Sequence, residues 1–144
     1  MKFSNRDMKM FDKARKEAEC SDHHKFRVGC VLEYKGHIIG KGHNSSKTHP
    51  LQKEYNHFRK FNYSNNYMPE SIHAEVAAIC SVSYPVGINV KWNKVRVYVC
   101  RIRKDGTMAC SRPCKACESF MRSLGIAGCY YTEDSNCLGY IEYL

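Results

Sequence analysis

The plainest hydrophobic rhythm lies near the start of the chain, where Met8, Phe11, Ala14 and Ala18 recur among charged neighbours at intervals of 3, 3 and 4. That spacing puts one apolar stripe on a helix over 4–20, and Ser4 or Asn5 can cap its first turn. A polar loop, 21–24, follows. The period then changes. Residues 28–34 are apolar nearly throughout, as in a strand covered on both faces. Residues 37–42 form its partner across Lys35-Gly36, where glycine supplies the backbone freedom of a tight hairpin. Leu51, Tyr55 and Phe58, spaced 4 and 3, predict a helix over 51–61. Ile72, Val76, Ile79 and Cys80 recur at i, i+4, i+7 and i+8 and predict another over 71–82, capped by Ser71.

Residues 83–94 hold Pro85, Gly87 and Asn89 and read as a loop. Residues 95–103 alternate as a strand does and run into the turn 104–107. Pro113 suits the start of a helix that runs to about 124 and ends at Gly125. A strand over 127–132, a turn over 133–137 and a short last strand over 139–144 complete the chain. Only a dozen residues follow Thr132, too few for another crossover helix and parallel strand. The sum is an α/β fold of three layers, α/β/α, with a mixed sheet of about five strands between helices. It forms one domain over 1–144, with no internal repeat or linker.

Composition narrows the setting. A chain of 144 residues can build one continuous core without staples. Its 9 cysteines raise the question of a disulfide scaffold. However, Cys30, Cys80, Cys100 and Cys129 sit in apolar runs, where free cysteine behaves as a small hydrophobe. No stretch resembles a signal peptide or approaches the ~20 apolar residues of a membrane span, so no membrane partner is expected and a reducing cytoplasm is the expected location. Lys and Arg total 23 against 14 Asp and Glu, a net +9 that favours anionic partners. Many basic proteins bind no nucleic acid, so the charge argues only modestly for a phosphate-bearing partner.

The chemistry concentrates in His73-Ala74-Glu75 and Pro113-Cys114-Lys115-Ala116-Cys117. His73, Cys114 and Cys117 are borderline-to-soft ligands that suit Zn2+ in a site whose fourth position stays open for water. Cys114 and Cys117, three apart, share one helix face, and a helix N-terminus favours the thiolate. Glu75, two residues beyond the histidine, is a natural proton carrier, and the N–H groups at Ala74 and Glu75 could hold a carbonyl. A lone Cys-x-x-Cys also fits redox motifs and zinc ribbons. A purely structural zinc site closes with a fourth Cys or His, and this chain has no partner Cys-x-x-Cys pair. His23 and His24 lack partners at ligand spacing, and Cys20, His49 and His57 have no defined spacing for a second ion. In 45–70, Lys47, Lys53, Arg59 and Lys60 are interleaved with Tyr55, Phe58, Phe61, Tyr63 and Tyr67. That pattern suits helix packing, and it also suits a substrate lid or groove.

Read jointly, His73-Ala74-Glu75 followed after 37 residues by Pro113-Cys114-x-x-Cys117 resembles the signature of the zinc-dependent cytidine and deoxycytidylate deaminase superfamily. Phe26-x-Val28-Gly29-Cys30-Val31 and Gly42-x-Asn44 are similar to a strand and its edge in cytidine deaminases. The resemblance implies Zn2+ as cofactor and Glu75 as the catalytic proton shuttle in hydrolytic deamination of a cytosine base. It also implies Asn44 on the sugar, Phe26 lining the base pocket, and the Arg112 carbonyl accepting from the departing amine. One departure bears on the substrate. Nucleoside deaminases of this kind carry a glutamate two residues after the asparagine, and Ser46 stands there instead. The expected substrate is therefore a free cytosine nucleotide, dCMP or CMP. A cytosine in single-stranded nucleic acid is the main alternative, and a zinc-stabilised binding module without turnover is another. A homo-oligomer is left open.

Overall fold

The computed structural model describes residues 3–23, 26–47, 49–55 and 71–143. Helix α1 (Asn5–Ala18) starts at a capping box, in which the Ser4 hydroxyl accepts from the Asp7 N–H and the Asp7 carboxylate accepts from the Ser4 N–H. Its buried side is Asp7, Met10, Phe11, Ala14 and Ala18. Met8 corrects the expected stripe: it is 51% exposed, and Met10 takes its place against the sheet. The buried arc runs through 7, 11, 14 and 18, and a residue next to Asp7 lies about 100° away around the helix.

Strand β1 (Arg27–Tyr34) turns into β2 (His37–His43) through Lys35 and Gly36, whose positive φ values of 52° and 85° match the twist of a two-residue hairpin. On its other edge β1 pairs antiparallel with β3 (Arg96–Ile102). A two-residue strand, β4 (Met108–Ala109), folds back on the end of β3 and is too short to leave a periodic signal. Strand β5 (Gly128–Glu133) runs parallel to β3, and β6 (Cys137–Glu142) returns antiparallel to β5. The order is β2-β1-β3-β5-β6, with β4 on β3. The last strand begins earlier than expected because Ser135 and Asn136 take positive φ and reverse the chain tightly enough to pair Cys137 with Glu133.

Alternation along the strands makes two cores. Val31, Tyr98, Cys100 and Ile102 face α1 on one side of the sheet. Cys30, Leu32, Val97, Val99 and Cys129 face the other side. There they meet α3 (Ala74–Cys80) and α5 (Lys115–Ser123), with α2 (Pro50–Tyr55) packed beside α5. Two glycines let the helices press close. A Cβ on Gly29 would lie 2.2 Å from the Ala14 carbonyl oxygen, and one on Gly42 would lie 2.4 Å from the Ala78 nitrogen.

Three further expectations are corrected. Helix α3 begins at Ala74, with His73 as N-cap, and Ser71 is no cap. The segment before it is held extended, because Ile72 donates to the Lys47 carbonyl and Ser45 to that of Ile72. Helix α5 likewise begins at Lys115, which leaves Pro113 just outside it and Cys114 as N-cap. The segment 83–94 is not all loop, since α4 (Tyr84–Asn89) and a 3-10 turn over Trp92–Lys94 lie within it. Pro85 falls in the first turn of α4, where its missing N–H costs nothing. Leu51 and Tyr55 pack half-buried on the core as expected, Tyr55 with its ring centroid 5.2 Å from that of Phe120. Phe58, His24, His57 and the rest of the basic-aromatic run over 56–70 lie outside the described residues. All nine cysteines are free, and among the described residues no helix is long and apolar enough to cross a membrane.

Asp7 ties α1 to the sheet. Its carboxylate is buried, accepts from the Tyr98 hydroxyl at 2.5 Å and lies 3.9 Å from Arg96 Nη1. Burial pushes its pKa up, but hydrogen bonds from Tyr98 and Ser4 outweigh this and hold it below the ordinary 3.8. Asp7→Ala removes the reciprocal cap and leaves the Tyr98 hydroxyl without its acceptor, so it is expected to cost about 2–4 kcal/mol near neutral pH. A depressed folded-state value makes this contribution full above the unfolded value and lost as pH falls through the folded one. The difference between native and variant in urea unfolding should therefore narrow on acidification from about pH 7 to about pH 3. A difference independent of pH would contradict the role given to the ionised carboxylate.

Candidate metal centre and active site

Two helix starts face each other at one end of the sheet. His73 and Cys114 are the N-caps of α3 and α5, both with extended backbone (φ −87°, ψ 158° and φ −72°, ψ 169°), and neither side chain caps its own helix. They turn towards each other instead. His73 Nδ1 lies 3.5 Å from Cys114 Sγ and 3.4 Å from Cys117 Sγ, and the three donor atoms fall within 4.8 Å of one another. Among the described residues this is the one group of three or more His, Cys, Asp or Glu side chains that could hold a metal ion.

Buried polar groups support both starts. The fully buried Gln52 of α2 accepts the His73 N–H at 3.1 Å. On the cysteine side, the Ser111 hydroxyl donates to the Val99 carbonyl at 2.8 Å and accepts the Thr132 N–H at 2.7 Å, while Thr132 donates to the Ala109 carbonyl at 2.8 Å. This network stretches 109–111 across the ends of β3 and β5 and delivers the chain to Pro113 and Cys114. Sequence reasoning did not identify Gln52, Ser111 or Thr132. Gln52 carries no spacing signal, and only the closeness of Ser111 to the cysteine motif could have drawn notice.

The electrostatics follow from burial and crowding. A hydrogen bond from the Cys117 thiol holds Cys114 down to about 3, while the same pairing and its own burial push Cys117 up. The two thiols thus share one proton, which a cation between them would displace. Glu75, in the first turn of α3, is 5% exposed. Burial raises its carboxyl pKa, with His73 drawing it partly back.

An open cavity of about 520 Å³ lies over this cluster. His73, Ala74, Glu75 and Cys114 line it, as do Phe26, Asn44 and Arg112, and Cys117 is wholly buried behind. Seven of the eight residues singled out from the sequence therefore border one space. Phe26 is 46% exposed and so belongs to the cavity wall, not the core. The Asn44 carboxamide is a clamp: its oxygen accepts from the Val28 N–H at 2.9 Å and the Ser21 hydroxyl at 2.7 Å, and its nitrogen donates to the Phe26 carbonyl. Ser46 is exposed, donates to Asp22 at 3.4 Å and does not line the cavity, so its identity says little about what binds there. The structure adds Arg101, Ser111 and His23 to the lining.

Comparison with known proteins agrees with this geometry. A sequence search among curated proteins found no match. Among solved structures, a cytidine deaminase from Burkholderia pseudomallei superimposes with a TM-score of 0.61 over 97% of this chain and 93% of its own, at 16% identity. The dCMP deaminase of cyanophage S-TIM5 in apo form superimposes with a TM-score of 0.58 over 94% of this chain and 88% of its own, also at 16% identity. At that identity the likeness establishes the fold, which is cytidine deaminase-like. The family model for the cytidine and deoxycytidylate deaminase zinc-binding region matches residues 4–133, nearly the whole chain and both halves of the cluster, and the protein belongs to that family.

Proposed function

We propose that this protein is a zinc-dependent hydrolase that converts the cytosine base of a free nucleotide, CMP or dCMP, to uracil with release of ammonia. The observation that carries the reading is a buried carboxylate, Glu75, in one cavity with His73 and Cys114 of a His-Cys-Cys cluster. The donors suit zinc. Ligands about 2.0 Å (N) and 2.3 Å (S) from a shared ion at the tetrahedral angle sit roughly 3.5 Å apart, which is the spacing of His73 Nδ1 from both sulfurs. Three protein ligands leave a fourth position open. When bound, zinc supplies a Lewis acid that makes water acidic enough to lose a proton near neutral pH.

The chain's own groups do the rest. Glu75 takes one proton of the attacking water and passes it to the ring nitrogen as the oxygen bonds to the amine-bearing carbon. It then takes the remaining proton from that oxygen and gives it to the amine, which leaves as ammonia as the carbonyl forms. Its raised pKa brings it nearer the working pH, where a group can both accept and return a proton. The N–H groups at the start of α3, at Ala74 and Glu75, hold the base carbonyl in this reading. The Arg112 carbonyl accepts from the amine, Phe26 walls the base, and Asn44, already fixing the 26–28 edge, borders the sugar. The nine free thiols are in keeping with a reducing cytoplasm.

The test is ammonia release across cytidine, deoxycytidine, CMP, dCMP and a single-stranded oligonucleotide. Turnover of CMP or dCMP is expected, with a log–log salt slope near that of a single phosphate contact. A polymer held by several cations would add roughly −0.7 for each contact. Efficient conversion of cytosine in the oligonucleotide with inert mononucleotides would reverse the substrate assignment. No release from any of them would leave a zinc-stabilised binding module.

A further inference from the structure

The cavity carries a cation that the chemistry above does not use. Arg101 is the penultimate residue of β3, and strand alternation sends it to the same side as Val97 and Val99, the face of α3 and α5. A charge on that inward side needs a reason, because buried or half-buried cations are normally paired. Three of the other described arginines are, Arg122 with Glu118 among them. Arg96 lies near Asp7 and Glu33, and Arg103, two residues on, is bound to Asp134 at 2.7 Å. Arg101 has no carboxylate within ion-pair distance among the described residues.

Its guanidinium is nonetheless held in place. It lies 4.4 Å from the centroid of the Phe26 ring, and Nη1 makes one long bond, 3.4 Å, to the Cys110 carbonyl. Its Nε is buried with no hydrogen-bond partner among the described residues. Arg112, exposed, lines the same cavity with its guanidinium 5.8 Å from the centroid of the Tyr131 ring, and among the described residues Glu75 at the metal end is the one acidic residue of that lining. Nη2 is not enclosed and makes no hydrogen bond among the described residues, so the planar fork, fixed at its Nε side, offers its outer edge to an oxyanion that accepts from it in pairs.

We infer that Arg101, with Arg112 lining the same cavity, forms the subsite for the substrate's phosphate monoester and selects nucleotide over nucleoside. The assignment rests on the deaminase reading above and names its substrate class. A cavity of about 520 Å³ is the size of a site for one small ligand, which favours a monoester over a polymer backbone.

The experiment compares CMP with cytidine in the zinc-loaded native protein, Arg101→Gln and Arg101→Lys, by ammonia-release kinetics and by calorimetric binding. The native protein is expected to favour CMP by roughly 10- to 100-fold in kcat/KM and in affinity. Arg101→Gln should lose that factor for CMP, mainly through KM, while cytidine changes by less than about 3-fold and so reports an intact fold. Arg101→Lys, which keeps the charge but not the fork, should fall between. Equal losses for CMP and cytidine, or a native protein that binds both alike, would overturn the subsite. An oligonucleotide bound more tightly than CMP through Arg101 would overturn the monoester. No turnover of any cytosine compound would remove the deaminase reading, and the CMP-against-cytidine binding ratio would still decide the subsite.

Discussion

Glu75→Gln is expected to keep fold and zinc and to lower kcat by roughly two to four orders of magnitude. The amide has the shape of the carboxylate, so the first turn of α3 and the buried wall it forms are retained. What it cannot do is accept a proton from water and hand it to the ring nitrogen. Among the described residues no other carboxylate lines the cavity to take over. Zinc content and ammonia release measured on the same preparation separate the outcomes. Activity within about tenfold of native would remove Glu75 from the proton path. Loss of zinc in the variant would recast it as a support for the ligands.

Cys114→Ala is expected to lose the metal and the stability that comes with it. His73 and Cys114 are the N-caps of α3 and α5, and neither side chain offers a hydrogen bond to its own helix. A metal ion held by these side chains would take the place of the caps and join the two helix starts. At free zinc about a thousand times its Kd, binding stabilises the native fold by about 4 kcal/mol, which the variant lacks. For a domain of this size that corresponds to a Tm shift on the order of 10 °C. Thermal melts with and without a chelator check this: the native protein should lose the increment on chelation, and Cys114→Ala should show no chelator effect. A variant that responds to chelator as the native protein does would place the metal elsewhere.

The metal cluster was legible in the sequence for a local reason. Ligand identity is a property of the residue, and Cys114 and Cys117, three apart, come onto one helix face wherever that helix packs. The continuous apolar run over 28–34, the alternation over 95–103 and the capped start of α1 were legible on the same footing, because each depends on neighbours within a turn or two. Met8 was misplaced because two overlapping stripes satisfy the same spacing, and the buried bond between Asp7 and Tyr98 decides between them. Helix α4 was missed because Pro85 and Gly87 weigh as loop residues by composition, whereas position within the first turn makes the proline harmless.

The supports of the site could not be read this way. Gln52 reaches the His73 N–H, and Thr132 reaches Ser111, each across 21 residues of chain. Arg101 looked like one more basic residue on an alternating strand, and only the β1–β3 register sets its guanidinium over Phe26. By itself the sequence determined which atoms could bind a metal and move a proton, because that chemistry travels with the side chain and its immediate spacing. Which polar groups hold those atoms in place, and which cation faces the cavity, was decided only by tertiary structure, since strand register and helix docking bring together residues that local periodicity does not relate.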